Sequence, residues 1–307
     1  MAFSIGLRVY QVTVHKENDR TPLLLTGDGS ATDAHKFLSD FVGENVNAND
    51  HEDLQRSWFF EKKSESSVNN IYGYLRYGTY GFESDLIDRK TKKSNYKRKV
   101  GDLEEIPLYF HFWTPAKQDF ALAAFQSFQA RSCVQVVIGA ACATYAKKHK
   151  GYKLFFRKLM PGDVKSSALY SAPVKQLTLV KKQIPQNKED RYLFDFKPEE
   201  VEFEISFKAK RRRTLGSLAS LLDRSSSNAA QALRFDGIQF DQAKAEVTVG
   251  NKRRTVGVLG YSNDAGVIEL SESVQYGTDG HPSFASIKYE TEQILKDFHS
   301  TLSKPKK

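Results

Sequence analysis

The chain has 307 residues, 40% of them hydrophobic and 27% charged, with 21 Phe, 14 Tyr and only two Cys. That balance excludes a disordered chain or a small disulfide-stapled one, and it suffices for one large domain or two of ordinary size. The net charge of +9 is uneven: residues 1–88 carry a net −6, residues 89–160 a net +11 and residues 161–307 a net +4. Positive charge therefore begins sharply at Arg89, as expected for a polyanion-binding chain or for pairing between the two parts.

In chain order, residues 4–14 alternate as a strand. Ile5, Leu7 and Val9 share one face, then the apolar set moves to Tyr10, Val12 and Val14, so a bulge near Tyr10 or burial on both faces is expected. The N-terminus has no cationic start, long apolar centre or small-residue cleavage site, so no targeting segment is read there. Residues 31–42 place Ala34, Phe37, Leu38 and Phe41 at helical spacing, with Ser30 or Thr32 positioned to cap. Residues 56–65 read as a strand. The Gly- and Tyr-rich stretch 73–90 follows, its glycines at 73, 78 and 81 suited to tight turns or close backbone approach.

Residues 90–99 read as a polar basic loop. The aromatic run IPLYFHFW, 106–113, reads as a strand, and 120–128 as another. Residues 133–149 are the clearest helix, with Val134, Val137, Ile138, Ala141 and Tyr145 on one face. Its closing Lys147, Lys148, His149 and Lys150 suit a helix C-terminus and need no ligand. Residues 152–160 read as a strand. The Gly, Pro and Ser content of 161–173 marks a linker between an N-terminal α+β domain, 1–160, and a C-terminal α+β domain, 174–307. In the latter, 174–183 and 201–208 read as strands and 215–224 as a helix with Thr214 as N-cap. A helical turn is expected over 229–233, a hairpin about Gly250-Asn251 over 247–260 and a helix over 283–302, before a basic tail. The expected class is α+β: two mixed sheet-and-helix domains with mainly antiparallel strands.

Chemistry is sparse. Cys133 and Cys142, nine residues apart on a helix, point to opposite sides and cannot bridge, which fits a reducing, cytoplasmic setting. No membrane partner is expected, because the longest weakly polar run, 132–146, is too short to span a bilayer. No CxxC or HxxxH pair, phosphate-binding glycine loop or GxSxG elbow is present, so no metal site and no cofactor is expected. His111, in the aromatic strand, reads as a packed residue. One arrangement has the outline of a restriction-type nuclease: Asp53, then Glu61 and Lys63 on one strand face, which would work with Mg²⁺. Whether the chain is an enzyme stays open at this point.

The repeated signal is basic. RKTKKSNYKRK, 89–99, ends in Tyr96, Lys97, Arg98 and Lys99. KAKRRR, 208–213, contains Lys210, Arg211, Arg212 and Arg213. NKRR, 251–254, places Lys252, Arg253 and Arg254 at the hairpin tip. Lys and Arg supply the sequence-independent, phosphate-directed part of nucleic-acid affinity, and Tyr96 is able to stack on a base. These residues are the expected contacts to RNA or DNA, and the last two runs make one patch only if the fold brings them together. An alternative is a protein-interaction or homo-oligomeric module in which the acidic N-terminal part and the basic centre face a partner or a second copy.

Two segments carry a resemblance. One is IPLYFHFWTP (106–115) followed by an apolar strand ending at Gln126 or Gln129, a helix, and a strand closing on LMP (159–161). The other is FDGIQFDQAKAEVTVGNKRRTVGVL (235–259) with a helix after DGHP (279–282). Over about half of the chain this layout resembles poorly characterised bacterial proteins of anti-phage defence loci. The resemblance implies a cytoplasmic prokaryotic protein that senses or attacks nucleic acid in antiviral defence, and it transfers no catalytic residue.

Overall fold

The computed structural model describes residues 4–67, 69–129, 131–181, 202–226, 234–235, 238–260 and 265–303. Strands and helices are mixed, and the strand pairing is mainly antiparallel. The chain divides into two compact units, residues 11–156 and residues 1–10 with 157–307.

In chain order the first unit draws on β1 (Ile5–Lys16), α1 (Ala34–Glu44), β2 (Asn49–His51), β3 (Arg56–Lys62), β4 (Asn70–Thr79), β5 (Ser84–Ile87), β6 (Ser94–Arg98), β7 (Glu104–Trp113), β8 (Ala121–Phe128), α2 (Val134–Lys148) and β9 (Tyr152–Lys158). Strands β1 and β9 contribute residues to both units. Every residue of β1 from Ile5 to Tyr10 is buried, and alternation begins only beyond it. Burial on both faces therefore explains the slip of apolar phase at Tyr10.

The sheet of this unit runs β8-β7-β4-β3-β2. Its pleat puts Phe60, Leu75 and Leu108 in one cross-strand row, with Trp58, Phe110 and Phe112 on the same face. All six are at most 2% exposed. Phe41 of α1 packs on Trp58 and Phe60, with ring centroids 6.3 and 5.8 Å apart. Each such buried side chain stabilises the unit by about 2–3 kcal/mol, and this is why the aromatic run forms a strand. Gly73 lies within β4, not in a turn. A Cβ there would stand 2.1 Å from the Glu61 carbonyl oxygen, so the glycine serves close backbone approach. Asp33 caps α1, accepting from the Lys36 N–H at 2.9 Å. Ser30 and Thr32, the expected caps, bond to each other at 2.9 Å. His111 is buried, with Nδ1 3.1 Å from the Tyr109 hydroxyl and Nε2 3.0 Å from Asn70 Oδ1.

The second unit adds α3 (Ala168–Ser171), β10 (Val174–Lys181), β11 (Phe203–Lys208), α4 (Leu218–Ser226), β12 (Arg234–Phe235), β13 (Ile238–Gln239), β14 (Gln242–Val249), β15 (Lys252–Gly260), β16 (Ile268–Glu269) and α5 (Phe284–Leu302). Its sheet runs β11-β10-β14-β15-β16, and β16 pairs with the start of β1 through Leu7 and Ile268. One face carries Leu177, Leu179, Ile205, Phe207 and Ala243, packed with Ile238 and Phe240. Helix α5 buries Ile287, Ile294, Leu295 and Phe298. The stretch 161–173, read from composition as a linker, holds a 3-10 turn (Pro161–Asp163) and α3, with Val164 and Leu169 buried. Gly, Pro and Ser there shape turns.

Helix α4 starts later than expected. Leu215 and Gly216 exchange backbone hydrogen bonds with Val174 at 2.8 Å, and Gly216 has φ +106°. That pairing holds the chain out of the helix until Ser217, whose Oγ accepts from the Ser220 N–H at 3.1 Å. Ser217, not Thr214, is the N-cap. The helical turn expected over 229–233 and the basic tail 304–307 lie outside the described residues. Among the described residues no helix is long and apolar enough to cross a membrane.

Candidate nucleic-acid interface

Two of the three basic runs meet at one end of the second unit's sheet. Strand β11 ends at Lys208, opposite Gln176 near the start of β10. The same end of β10 faces Val247 of β14, whose hairpin with β15 closes with Val249 opposite Lys252. From β11 to β15 is three strand steps, roughly 14 Å at ~4.8 Å each. The loop after β11 is fixed by its backbone. Ala209 N–H donates to Lys175 O at 2.8 Å, Arg213 N–H to Lys210 O at 2.9 Å, and Arg212 sits at φ +61°. Lys175 Nζ donates to Arg213 O at 2.9 Å. Lys210, Arg211, Arg212 and Arg213 are all exposed. Their side chains make no ion pair with any described residue.

The pleat sorts the NKRR run. Arg253, opposite Thr248, projects on the face away from the core; it is 66% exposed and stands 3.7 Å from Glu246. Lys252 and Arg254 project the other way, towards α5. Arg254 is 9% exposed and bonds to Glu290 Oε2 at 2.8 Å, while Lys252 pairs with Glu290 Oε1 and lies 5.4 Å from the Tyr289 ring. Glu290 is itself 2% exposed. Lys252 and Arg254 thus neutralise a buried carboxylate within the fold, and of the expected hairpin contacts Arg253 is the one turned to solvent.

The run 89–99 is not a plain loop. Its second half is β6, which pairs with β5 as a separate two-stranded hairpin, Ser84 opposite Arg98 and Leu86 opposite Tyr96. Arg98 is 5% exposed. It donates to Glu104 at 3.0 Å, to Asp102 O at 3.2 and 3.3 Å and to Thr79 O, and it lies 4.1 Å over the Phe82 ring. It anchors the hairpin, with four of its five N–H donors committed within the fold. Lys97 and Lys99 are exposed, Lys97 standing 3.9 Å from Glu83. Tyr96, 49% exposed, donates its hydroxyl to Asp102, which raises its pKa. Asp102 is held below the usual carboxylate range by the Lys99 N–H and then by Tyr96.

The nuclease candidates are placed differently. Asp53 lies in an exposed 3-10 turn before β3. Lys63 lies one residue past the end of β3; its Nζ bonds to Glu61 Oε1 at 3.0 Å, and Arg76 clamps Oε2 at 2.6 and 2.7 Å. Burial raises the Glu61 pKa, and the bonds from Arg76 and Lys63 outweigh it, leaving the carboxyl below its ordinary value. Both oxygens are committed to cations. Among the described residues no three His, Cys, Asp or Glu side chains gather as a cation cage.

Sequence reasoning missed Glu290, which decides the fate of Lys252 and Arg254. An acidic residue inside a helix whose other buried positions include Ile287, Ile294, Leu295 and Phe298 is the available signal, since the 3.6-residue period places position 290 on the buried stripe. Comparison with known protein families matches none of their models, and no curated protein matches the chain.

Proposed function

We propose that the protein binds nucleic acid through the cationic end of the β11-β10-β14-β15 sheet, as a cytoplasmic sensor or effector of prokaryotic antiviral defence, with the two compact units acting as two domains. The observation that supports this is the group Lys210, Arg211, Arg212 and Arg213, exposed, without an ion pair to any described residue and within three strand steps of exposed Arg253. Cations held in a backbone-fixed loop with no partner among the described residues are available to phosphates. The main chain that carries this charge is held by its own bonds, so phosphate contacts order little new backbone. The two free thiols fit a reducing compartment.

The test is a salt titration of the full chain against single- and double-stranded RNA and DNA. Each phosphate contact contributes a slope of about −0.9 in log K against log salt for duplex. The triple variant Arg211→Ala/Arg212→Asn/Arg213→Ala, with Asn chosen because it tolerates positive φ, should flatten that slope by about 2.7. No binding to any of the four at ~50 mM salt, or an unchanged slope in the triple variant, refutes the proposal.

A further inference from the structure

Strands β4 and β7 are neighbours, with Thr79 opposite Glu104. A hairpin between such strands needs about two to five connecting residues. Here residues 80–103 intervene and form an arm of their own, β5 paired with β6. Of thirteen large apolar side chains exposed among the described residues, six are in this arm: Phe82, Leu86, Ile87, Tyr96, Val100 and Leu103, between 40% and 57% exposed. Scattered exposed apolar residues are ordinary, whereas a cluster on one projection marks a contact surface.

The arm is stiff at both ends. Arg98 ties its base to Thr79, Asp102 and Glu104. At its tip Asp88 accepts from the Lys90 and Thr91 N–H groups at 2.9 and 2.6 Å, and Lys92 turns the chain at φ +58°. The carboxylates are occupied: Asp88 by the tip, Asp102 by Tyr96 and Lys99 N–H, Glu83 by Lys97, and Asp85 by the Ser94 hydroxyl at 3.3 Å. Arg89, Lys90, Lys92, Lys93 and Lys99 are exposed without an ion pair to any described residue.

We infer that this arm docks in the major groove of duplex DNA, its tip cations on the phosphates and Leu86, which lies opposite Tyr96 on one face of the ribbon, against base edges. The inference rests on the nucleic-acid reading above but uses a different surface. A two-stranded ribbon fits the ~12 Å major groove of B-form DNA, where thymine offers a methyl group to apolar side chains. The deep, narrow major groove of A-form RNA does not admit it. A lipid surface suits the arm less well, because the ionised tip, 88–93, would have to enter hydrocarbon ahead of Leu86 and Ile87. Arm-to-arm pairing of two copies would bring the same cations together.

The experiment titrates the full chain with a thymine-containing DNA duplex, the same duplex with uracil for thymine, and the matching RNA duplex. Leu86→Ala/Ile87→Ala should weaken binding to thymine DNA about tenfold with the salt slope unchanged. Uracil substitution should weaken the wild type and leave the double variant indifferent. Both side chains are exposed, so the variant should melt with the wild type, and the uracil arm of the test needs no variant at all. Equal binding of variant and wild type to thymine DNA overturns the inference. So does an equal loss on RNA, or a loss confined to anionic phosphatidylserine vesicles or to self-association. If the Arg211–Arg213 triple variant flattens the salt slope while Leu86→Ala/Ile87→Ala changes nothing, the arm inference alone fails. If the wild type binds no nucleic acid, both readings fail.

Discussion

Glu290→Ala should be among the most damaging substitutions in the unit formed by residues 1–10 and 157–307. Glu290 is 2% exposed and holds two cations of unequal burial, Arg254 at 9% and Lys252 at 43%. Once the carboxylate is gone, Lys252 can swing into water, so its share of the loss is under about 1 kcal/mol. Arg254 cannot follow, and it cannot shed its proton. Its Nε already lacks a hydrogen-bond partner among the described residues. Removing one member of a buried pair costs about 3–5 kcal/mol, which for a unit of this size lowers the melting temperature by roughly 10 °C. Replacing both partners by apolar groups should cost much less, because no buried charge is left unpaired. Urea and thermal unfolding followed by circular dichroism would compare Glu290→Ala, Lys252→Ala, Glu290→Met, Arg254→Met and Glu290→Met/Arg254→Met. If Glu290→Ala stays within about 1 kcal/mol of wild type, or the losses of the two single apolar replacements simply add in the double variant, the ion pair does not carry the stability assigned to it.

Two further outcomes follow from the same geometry. Ser217→Ala should lose about 1 kcal/mol as the α4 N-cap bond to Ser220 disappears, while Thr214→Ala should stay within about 0.5 kcal/mol; the reverse order in chemical unfolding would restore Thr214 as the cap. Burial pushes the Cys133 thiol up to about 12, so at pH 8 its thiolate fraction is about one in 10⁴. Iodoacetamide should label Cys133 no faster than the chain unfolds, and labelling that outpaces unfolding would show the thiol to be accessible.

Local pattern made much of the fold legible. The aromatic run IPLYFHFW and the 3.6-residue spacing of Val134, Val137, Ala141 and Tyr145 needed only an apolar surface to pack against, and each formed the expected element. Gly250 at φ +60° closes the hairpin read from Gly250-Asn251. Residues 94–98 were illegible as a strand because their pairing partner, β5, supplies the backbone hydrogen bonds that polar side chains do not announce. Leu86 and Ile87 carry no local mark of exposure, and a sequence reader assigns such residues to a core.

The candidate interface shows the division most clearly. Composition and order alone place the cations in three runs and make a polyanion the natural partner, because charge density is a property of sequence. Arg213, Arg253 and Arg254 look alike there. Which of them is available depends on what lies across the pleat: Arg253 turns away from the core, Arg254 turns towards Glu290, and Arg213 is held in the loop after β11 by its N–H on Lys210 O and by the Lys175 ammonium on its carbonyl. Glu290 follows Arg254 by 36 residues, and no local rule links them. Pairing across that separation arises only when α5 packs on the sheet, so the third dimension selects which positive charges remain for a ligand.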